Sequence, residues 1–531
     1  MAVDLTAFSR RVTWVSGVVG LGLLGSQAVH AELAISRPGW GGENLNRVTL
    51  HGADARQQLL VTQTLGDGSV ADQTREATLV AEPAGLVRVT DGLVEPLANG
   101  AGVITARTQA GEIAVIPFEV RAVTGEKPVS FPNSVVPLFT KHGCSSGGCH
   151  GKSSGQNGFK LSLLGFEPQE DYEYLLREAR GRRIFPAAPE RSLLLLKASG
   201  QLPHGGGSRI DAGSFDYKTI VKWIRQGMPY GKPNDPSLEA IEVCPPERIM
   251  KAGARQQLVV LARMTDGSVE DITHSALYEA NNREYAEVDN TGLVTAGSDS
   301  GEIAVMVRYQ DKASVFRASV PLGAPVGNLP AEINFVDNFI FAKWKQVGMP
   351  PSEVAGDTTY LRRVTLDIAG RLPTVVEAKS FLENRAPDKR RRLVERLLRS
   401  EEYAEYFANK WSALLRNKRA NGAQLRSTLG FYDWIKESLY NNKPYDRFVR
   451  EIVAASGGID QSPASAWFKQ VSSQQAQMED TAQLFLGTRL QCAQCHHHPY
   501  EKWSQNDYYQ FMAFFSRVSK APSGRPGEEI V

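Results

Sequence analysis

The sequence is short of cysteine, of net charge and of long apolar runs, and each shortage excludes a class of protein. Only five of the 531 residues are cysteine, too few for a disulfide-stabilised scaffold. The 60 Lys and Arg residues nearly balance the 58 Asp and Glu residues, so the net charge of +2 gives no global attraction to nucleic acid or anionic membranes. After residue 31, no run approaches the roughly 18 apolar residues of a membrane-spanning helix. Paired acids, a nucleophile–base set and a phosphate loop are also missing, so no substrate is indicated.

The first 31 residues predict export. A basic pair, Arg10 and Arg11, precedes an apolar stretch that ends at Leu24, and the small residue Ala31 marks a cleavage point. We therefore expect residues 1–31 to be a signal peptide, with a retained N-terminal anchor as the alternative. The whole chain is 42% hydrophobic and has room for about three to five domains, and the exported protein is expected in the periplasm or cell envelope.

An internal repeat occupies two separated parts of the chain. Four short segments recur in the same order, namely ARQQL at 55–59 and 254–258, DGSV at 67–70 and 266–269, GVITA or GLVTA at 102–106 and 292–296, and GEIAV at 111–115 and 301–305. Each copy is rich in Val, Leu and Thr and contains Asp-Gly turns. This pattern predicts a small all-β sandwich for each copy.

The motif LVTAG at 293–297, followed by GEIAV at 301–305, resembles the bacterial immunoglobulin-like group 2 family. The resemblance covers about residues 35–122 and 240–320 and implies two immunoglobulin-like domains. Such domains are spacers or adhesive modules, so a surface polymer or carbohydrate is an expected partner. Cys244, at the start of the second copy, is expected to be a buried or free thiol.

Between the repeats, the segment CSSGGCHG carries two cysteines followed by a histidine. It begins at Cys144, and His150 directly follows Cys149. In c-type haem attachment, two thiols bond to the porphyrin and the histidine after the second thiol binds the iron. Haem motifs usually have two residues between the cysteines and this one has four, so we expect the glycines to form a bulge with positive φ. A disulfide between the two cysteines and a metal site are the alternatives.

Two helices are predicted around this motif. Ser134 is predicted to cap a short helix before it, with Pro137 in the first turn. After it, YKTIVKWIRQGMP predicts an amphipathic helix with Ile220, Trp223 and Ile224 on one side.

Residues 133–232 resemble the small planctomycete-type cytochrome c domains. The shared features are a helix before the motif, the motif itself, a P-x-x-S-L-L stretch, a Pro/Gly-rich loop and a final W-I-x-x-G-x-P helix. That family commonly has a methionine ligand in the loop, but here the loop reads LPHGGG. This departure from the family pattern suggests ligation by His150 and His204 and a lowered reduction potential. Met228 is the second candidate ligand, a solvated His204 is the alternative, and His142 is expected at the surface.

The last third of the chain is predicted to be mainly helical. INFVDNFIFAKWKQVGMP predicts a helix with Val336, Ile340, Trp344 and Val347 on one face. Near the end, CAQCH has the standard haem-attachment spacing. The same two cysteines with the two histidines His496 and His498 also suit a tetrahedral zinc ion, which is the alternative, and a disulfide is a third possibility.

Residues 333–516 resemble the second domain of the same planctomycete-type cytochrome proteins, a domain of poorly defined function. The motifs that carry the resemblance are LRR at 361–363 with Asp367, GRLPT at 370–374, Trp411, NKPYDRFV at 442–449 and QCAQCHHHPYEKWSQNDYYQFMAFF from Gln491. The resemblance implies that His496 is a proximal iron ligand. Members usually continue into a further domain, so we expect the chain to be truncated or completed by a partner.

These patterns together predict an exported multidomain protein. Its fold class is two all-β immunoglobulin-like sandwiches, one small α-helical cytochrome c-like domain and one mainly α C-terminal domain. It is expected to carry electrons to a redox partner protein through one or two covalent haems c, without catalytic residues of its own. The predicted haem-attachment residues are Cys144, Cys149, Cys492 and Cys495, and the predicted metal ligands are His150, His204, His496 and His498. The alternatives are an envelope binding or structural protein with zinc or disulfide clusters, and the haem-bearing part of an oxidoreductase acting on carbohydrate.

Overall fold

The computed structural model describes residues 32–531, except for 153, 419–423, 495–497, 499–502 and 527. The predicted signal peptide, Cys495 and His496 therefore lie outside the described residues. Within the described ranges, no helix has both the length and the apolar character needed to cross a membrane. Two β units enclose a helical segment in the sequence, and a mainly helical region follows them.

The first repeat forms small sheets around one core. Its strands are β1 (Glu32–Pro38), β2 (Asn44–Leu45), β3 (Val48–His51), β4 (Gln57–Gln58), β5 (Leu60–Thr64), β6 (Val70–Asp72), β7 (Thr78–Glu82), β8 (Val87–Thr90), β9 (Leu93–Pro96), β10 (Gly100–Arg107) and β11 (Ile113–Arg121). They pair in the orders β2-β1-β5-β6, β3-β11-β10-β7 and β4-β9-β8, and β3 runs parallel to β11. Because side chains alternate along a strand, Ile116 and Phe118 point inward together and are almost fully buried.

The second repeat has the same topology, except that its described strands include no counterpart of β2. Its strands are β12 (Leu238–Cys244), β13 (Glu247–Ile249), β14 (Arg255–Gln257), β15 (Val259–Met264), β16 (Val269–Asp271), β17 (Leu277–Ala280), β18 (Ala286–Val288), β19 (Leu293–Ala296), β20 (Gly301–Tyr309) and β21 (Lys312–Val320). They pair in the orders β12-β15-β16, β13-β21-β20-β17 and β14-β19-β18. Again one pair, β13 with β21, is parallel. The structure thus confirms two sandwich-like β units at the repeated positions.

The two repeats contact each other through equivalent residues. The backbone N–H of Gln58 donates to Asp271 Oδ2 at 2.6 Å, and the backbone N–H of Gln257 donates to Asp72 Oδ2. Since each aspartate and each glutamine holds the same place in its own copy, the contact is close to two-fold symmetric. An apolar cluster of Leu60, Cys244, Val259 and Leu261 lies beside these bonds. Cys244 is buried and not bonded to another described cysteine, as expected.

The segment between the repeats is helical. Its helices are α1 (Val136–Lys141), α2 (Pro168–Leu176), α3 (Leu193–Ala198) and α4 (Phe215–Arg225). The predicted face of α4 is confirmed, because Ile220, Trp223 and Ile224 are at most 1% exposed. The predicted cap at Ser134 is wrong. A π turn precedes α1, and its cap is Ser130, whose hydroxyl accepts the N–H of Asn133.

The C-terminal region is mainly helical, as predicted. Its elements are α5 (Phe335–Val347), α6 (Asp357–Ala369), α7 (Val375–Glu383), α8 (Lys389–Leu398), α9 (Glu401–Leu414), α10 (Leu425–Tyr440), α11 (Tyr445–Val453), α12 (Trp467–Gln470), α13 (Gln474–Phe485), α14 (Gln505–Ala513), β22 (Ala521–Pro522) and β23 (Glu529–Ile530). The largest core cluster surrounds Trp467, Phe431 and Ile435, which are fully buried. A neighbouring cluster joins α13 to α14 through Met478 and Tyr508.

The predicted apolar face of α5 is buried only at its C-terminal end. Val347 is 8% exposed, but Val336 and Ile340 are 47% and 42% exposed, and Phe341, which lies outside that face, is also 8% exposed. The helix is fixed at its C-terminal end, where the carbonyl of Val347 accepts the N–H of Leu322 from the segment after β21 at 2.8 Å. The contact therefore lies at the end of the helix where the predicted face is buried.

Candidate functional site

The first cysteine motif lies at the C-terminal end of α1. Gly143, with a φ of 70°, ends the helix in the left-handed region, and the N–H of Cys144 donates to the carbonyl of Phe139 at 2.8 Å. The loop then turns back on itself. The N–H of Cys149 donates to the carbonyl of Ser146, and the N–H of His150 donates to the carbonyl of Cys144, both at 3.0 Å. Backbone bonds thus hold the two cysteines and the histidine in one compact loop.

The expected role of the two glycines between the cysteines is wrong. Neither Gly147 nor Gly148 takes a positive φ. The glycine that the loop requires is Gly151, because a Cβ there would lie 1.9 Å from the carbonyl oxygen of Ser145. The close backbone approach after His150 therefore excludes any side chain at position 151.

Both thiols of the first motif are unbonded in the structure. Cys144 packs against the helical core, and burial, with a smaller contribution from Cys149, raises the pKa of its thiol to about 11. The thiol is therefore protonated at neutral pH and has little nucleophilicity of its own.

The imidazole rings of His150 and His204 lie close together and nearly parallel. Their ring centroids are 6.3 Å apart and the ring planes are within 7° of parallel. The Nδ1–H of His150 donates to the carbonyl of Phe159 at 2.9 Å, and the Nδ1–H of His204 donates to the carbonyl of Gly207 at 2.8 Å. With Nδ1 engaged in this way, Nε2 of each ring carries the lone pair that a metal ligand needs.

The donor set of these four residues is compatible with a haem c. A metal–imidazole bond is about 2 Å long, so two imidazoles that bind one ion from opposite sides have centroids about 6 Å apart. Burial lowers the pKa of His150, with smaller contributions from His204 and Arg183, and this favours the neutral imidazole that binds metal. Two thiols precede His150 on the same loop. The residues present therefore fit a covalently attached haem with two histidine ligands.

The other two candidates of this segment have structural roles. His142, expected at the surface, is 13% exposed, and its Nε2 lies 2.8 Å from Asp216 Oδ2. Lys141 binds the same carboxylate and also donates to the carbonyl of His274 in the second repeat, both at 2.7 Å. This cluster docks the helical segment on the second repeat. Met228 packs against the helical core, where its carbonyl accepts the hydroxyl of Tyr172.

The second cysteine motif is described only in part. Cys492 is exposed on a 3₁₀ turn, Gln491–Gln494. His498 is 8% exposed, and its backbone N–H donates to the carbonyl of Trp503 at 2.8 Å. Since Cys495 and His496 lie outside the described residues, the haem and zinc predictions for this motif stay predictions.

Two parts of the chain match known protein families. Residues 335–520 match PSCyt2, a protein of unknown function (DUF1549). Residues 237–315 match the bacterial Ig-like domain, group 2. These matches support the two family resemblances for the helical C-terminal region and for the second repeat. The cytochrome character of both helical parts rests on their motifs.

Solved structures show only weak similarity to the chain. The S-layer protein rSbsC(31-844) is 14% identical with a TM-score of 0.15, over 57% of this chain and 29% of that one. InvD of Yersinia pseudotuberculosis is 10% identical with a TM-score of 0.12, over 57% of this chain and 60% of that one. TM-scores this low support no inference. The chain spans about 29% of the S-layer protein, and no curated protein matches it.

Sequence reasoning missed two groups of residues beside the motifs. Phe159 and Arg183 lie against His150, because the Phe159 ring is 4.7 Å from the His150 ring and 4.6 Å from the Arg183 guanidinium. In the PSCyt2 region, Glu479 accepts the hydroxyl of Tyr508 at 2.7 Å, close to the second motif. No local pattern in the sequence connects these residues with the cysteines, since the contacts bridge separate parts of the chain.

Proposed function

We propose that this protein is an exported c-type haem protein that carries electrons. The observation that best supports the proposal is the pair of nearly parallel imidazoles of His150 and His204, with centroids 6.3 Å apart, in a segment whose motif loop also carries two thiols. A disulfide loop or a solvated loop histidine does not require this arrangement. Ligation by two histidines favours a lower potential than ligation by histidine and methionine.

Each residue of the site has a distinct role in this proposal. Cys144 and Cys149 anchor the group covalently, and His150 and His204 bind the metal through Nε2. The carbonyls of Phe159 and Gly207 fix the orientation of both imidazoles. When bound, haem supplies reversible one-electron chemistry. The protein contributes binding, orientation and the exclusion of water.

The remaining parts of the chain would place this site in its surroundings. The two repeats would position it against a redox partner protein or a surface polymer in the periplasm or cell envelope. The second motif, with Cys492, Cys495, His496 and His498, would hold a second haem. Zinc is the alternative for that motif, since two thiolates and two imidazoles suit a tetrahedral ion.

Haem content tests the proposal directly. The mature chain is expressed together with a cytochrome maturation system, and a pyridine haemochrome spectrum is recorded alongside metal analysis. We expect one or two covalent haems per chain. Cys149→Ala and Cys495→Ala assign each haem to its motif, and His204→Ala is expected to keep the first haem but convert it from low spin to high spin.

A protein without haem would contradict the proposal. One zinc ion and no haem would instead favour an envelope binding or structural protein, a function that the match to the bacterial Ig-like domain also suits. Haem that is reduced only when a carbohydrate is added would favour the haem-bearing part of an oxidoreductase.

A further inference from the structure

Arg183 is a buried cation without a carboxylate in salt-bridge contact. The residue is 4% exposed, and among the described residues the Glu178 carboxylate attracts it only from beyond salt-bridge distance. Its guanidinium donates only to backbone carbonyls, those of Tyr174 at 2.8 Å, Glu178 at 3.0 Å and Gly158. Buried charges are ordinarily paired with an opposite charge, so this one needs an explanation.

The surroundings of Arg183 connect it to His150. The carbonyl of Gly158 that accepts from Arg183 directly precedes Phe159, whose own carbonyl accepts the Nδ1–H of His150. The guanidinium also stacks over the Phe159 ring, which in turn lies against the His150 ring. Arg183 therefore holds, by a hydrogen bond and by a cation–π contact, the short segment that orients His150.

The backbone turn beside this cation has unfavourable geometry. The carbonyl of Glu178 is presented by a turn in which Ala179 and Arg180 have φ values of 51° and 59°. Non-glycine residues rarely occupy this left-handed region, and such geometry is concentrated at functional sites. An uncharged side chain at position 183 would need neither the turn nor the desolvation of a charge.

We infer that Arg183 is a positioning residue for His150 and that its buried charge raises the reduction potential of the group that His150 binds. The inference rests on the proposed haem function. Reduction removes one positive charge from the iron centre, so a fixed cation nearby favours the reduced state. Two unit charges about 10 Å apart in a protein interior shift an equilibrium about tenfold. Ligation by two histidines lowers the reduction potential, and the charge of Arg183 offsets part of that decrease.

Three variants of the full-length chain, loaded with haem, test the inference. Arg183→Gln removes the charge, Arg183→Lys keeps it, and Arg182→Gln removes a neighbouring charge that is exposed. At a fixed ambient potential, we expect Arg183→Gln to lower the ratio of reduced to oxidised haem about five- to tenfold, where tenfold corresponds to about 59 mV. Arg182→Gln and Arg183→Lys should each change it by less than about twofold. The low-spin electron paramagnetic resonance signal of Arg183→Gln should also shift as His150 loses its fixed orientation.

The outcomes separate the inference from the function it rests on. A wild-type chain without covalent haem at Cys144 and Cys149 would overturn the proposed function. Loaded haem with equal potentials in Arg183→Gln and Arg182→Gln would overturn the inference alone. If Arg183→Gln does not fold, the potential of Arg183→Lys tests the inference. A large fall in potential in this variant, which keeps the charge, would contradict the electrostatic role.

Discussion

Gly151 shows how one residue decides whether the first motif can form. The motif bends so tightly after His150 that the backbone at 151 meets the carbonyl of Ser145. The same loop leaves Gly148 with no atom within 4 Å of its Cβ position. The two glycines of this short motif therefore differ completely in whether they leave room for a side chain.

We expect Gly151→Ala to destabilise the helical segment and Gly148→Ala to leave it unchanged. The added methyl group at 151 must displace the Ser145 backbone, and crowding of this kind costs about 1–3 kcal/mol. Urea unfolding and haem content per chain measure the effect. Equal stability and equal haem content for the two variants would show that the loop adapts.

The buried carboxyl of Asp171 is expected to make the stability of the fold depend on pH. Burial raises the pKa of its carboxyl from 3.8 to about 6, although the N–H and hydroxyl of Ser162 donate to it. The folded state therefore binds this proton more tightly than the unfolded chain, so stability rises as the pH falls from above 6 to below 4. The gain amounts to about 3 kcal/mol. The difference in unfolding free energy between wild type and Asp171→Asn, followed from pH 7 to pH 4, isolates the contribution, and a constant difference would contradict it.

For single residues, sequence patterns predicted side-chain burial better than they predicted hydrogen bonds. Ile220, Trp223 and Ile224 are buried as the helical spacing indicated. The cap at Ser134 and the surface position of His142 were wrong. Both depend on partners that local spacing does not specify, since the π turn moves the cap and Asp216 lies 74 residues from His142.

Among the elements, α5 shows what periodicity leaves undecided. The spacing of apolar residues correctly predicts a helix, but the residues are apolar on more than one side of it. The C-terminal end of the helix is held by the bond between Leu322 and Val347, a contact made by the linker before the helix, and the predicted face is buried only at that end. Ile333, Phe335 and Phe339 consequently remain more than 70% exposed.

Two phenylalanines of α5 make the orientation testable. Phe341 is 8% exposed and stacks on Trp344, whereas Phe339 is 71% exposed. We expect Phe341→Ala to destabilise the C-terminal region by about 3 kcal/mol and Phe339→Ala to have little effect. Denaturant unfolding monitored by tryptophan fluorescence compares the two, and a larger loss for Phe339→Ala would reverse the assigned face.

In the whole molecule, the repeats were the most predictable part, because duplicated sequence produced duplicated topology, including the parallel strand pair in each copy. The contact between the copies was not predictable. Asp72 and Asp271 lie in equally polar strand ends, and only the assembled structure shows that each accepts a backbone N–H from the other repeat. The candidate site was predictable as a set of residues, but not as a geometry.

We expect Asp271→Asn to weaken the contact between the repeats. Asp271 Oδ2 accepts the backbone N–H of Gln58 and the side-chain amide of Gln57. The amide N–H₂ of an asparagine in its place would meet these two donors instead of accepting from them. The loss of a buried bond of this kind costs about 1–3 kcal/mol. Asp266→Asn, at an exposed turn, is the matched control. Small-angle scattering and urea unfolding report the change, and identical results for both variants would mean that other contacts hold the repeats together.

The backbone bond between Phe131 and Tyr230 has a consequence for how the helical segment can be removed or exchanged. The N–H of Phe131 donates to the carbonyl of Tyr230 at 3.0 Å, so the helical segment begins and ends at one point. Such an insert can be removed or exchanged without stretching the strands on either side. The linker between the two β units therefore contains a point at which a segment of different length can be inserted, provided that its ends are joined in the same way.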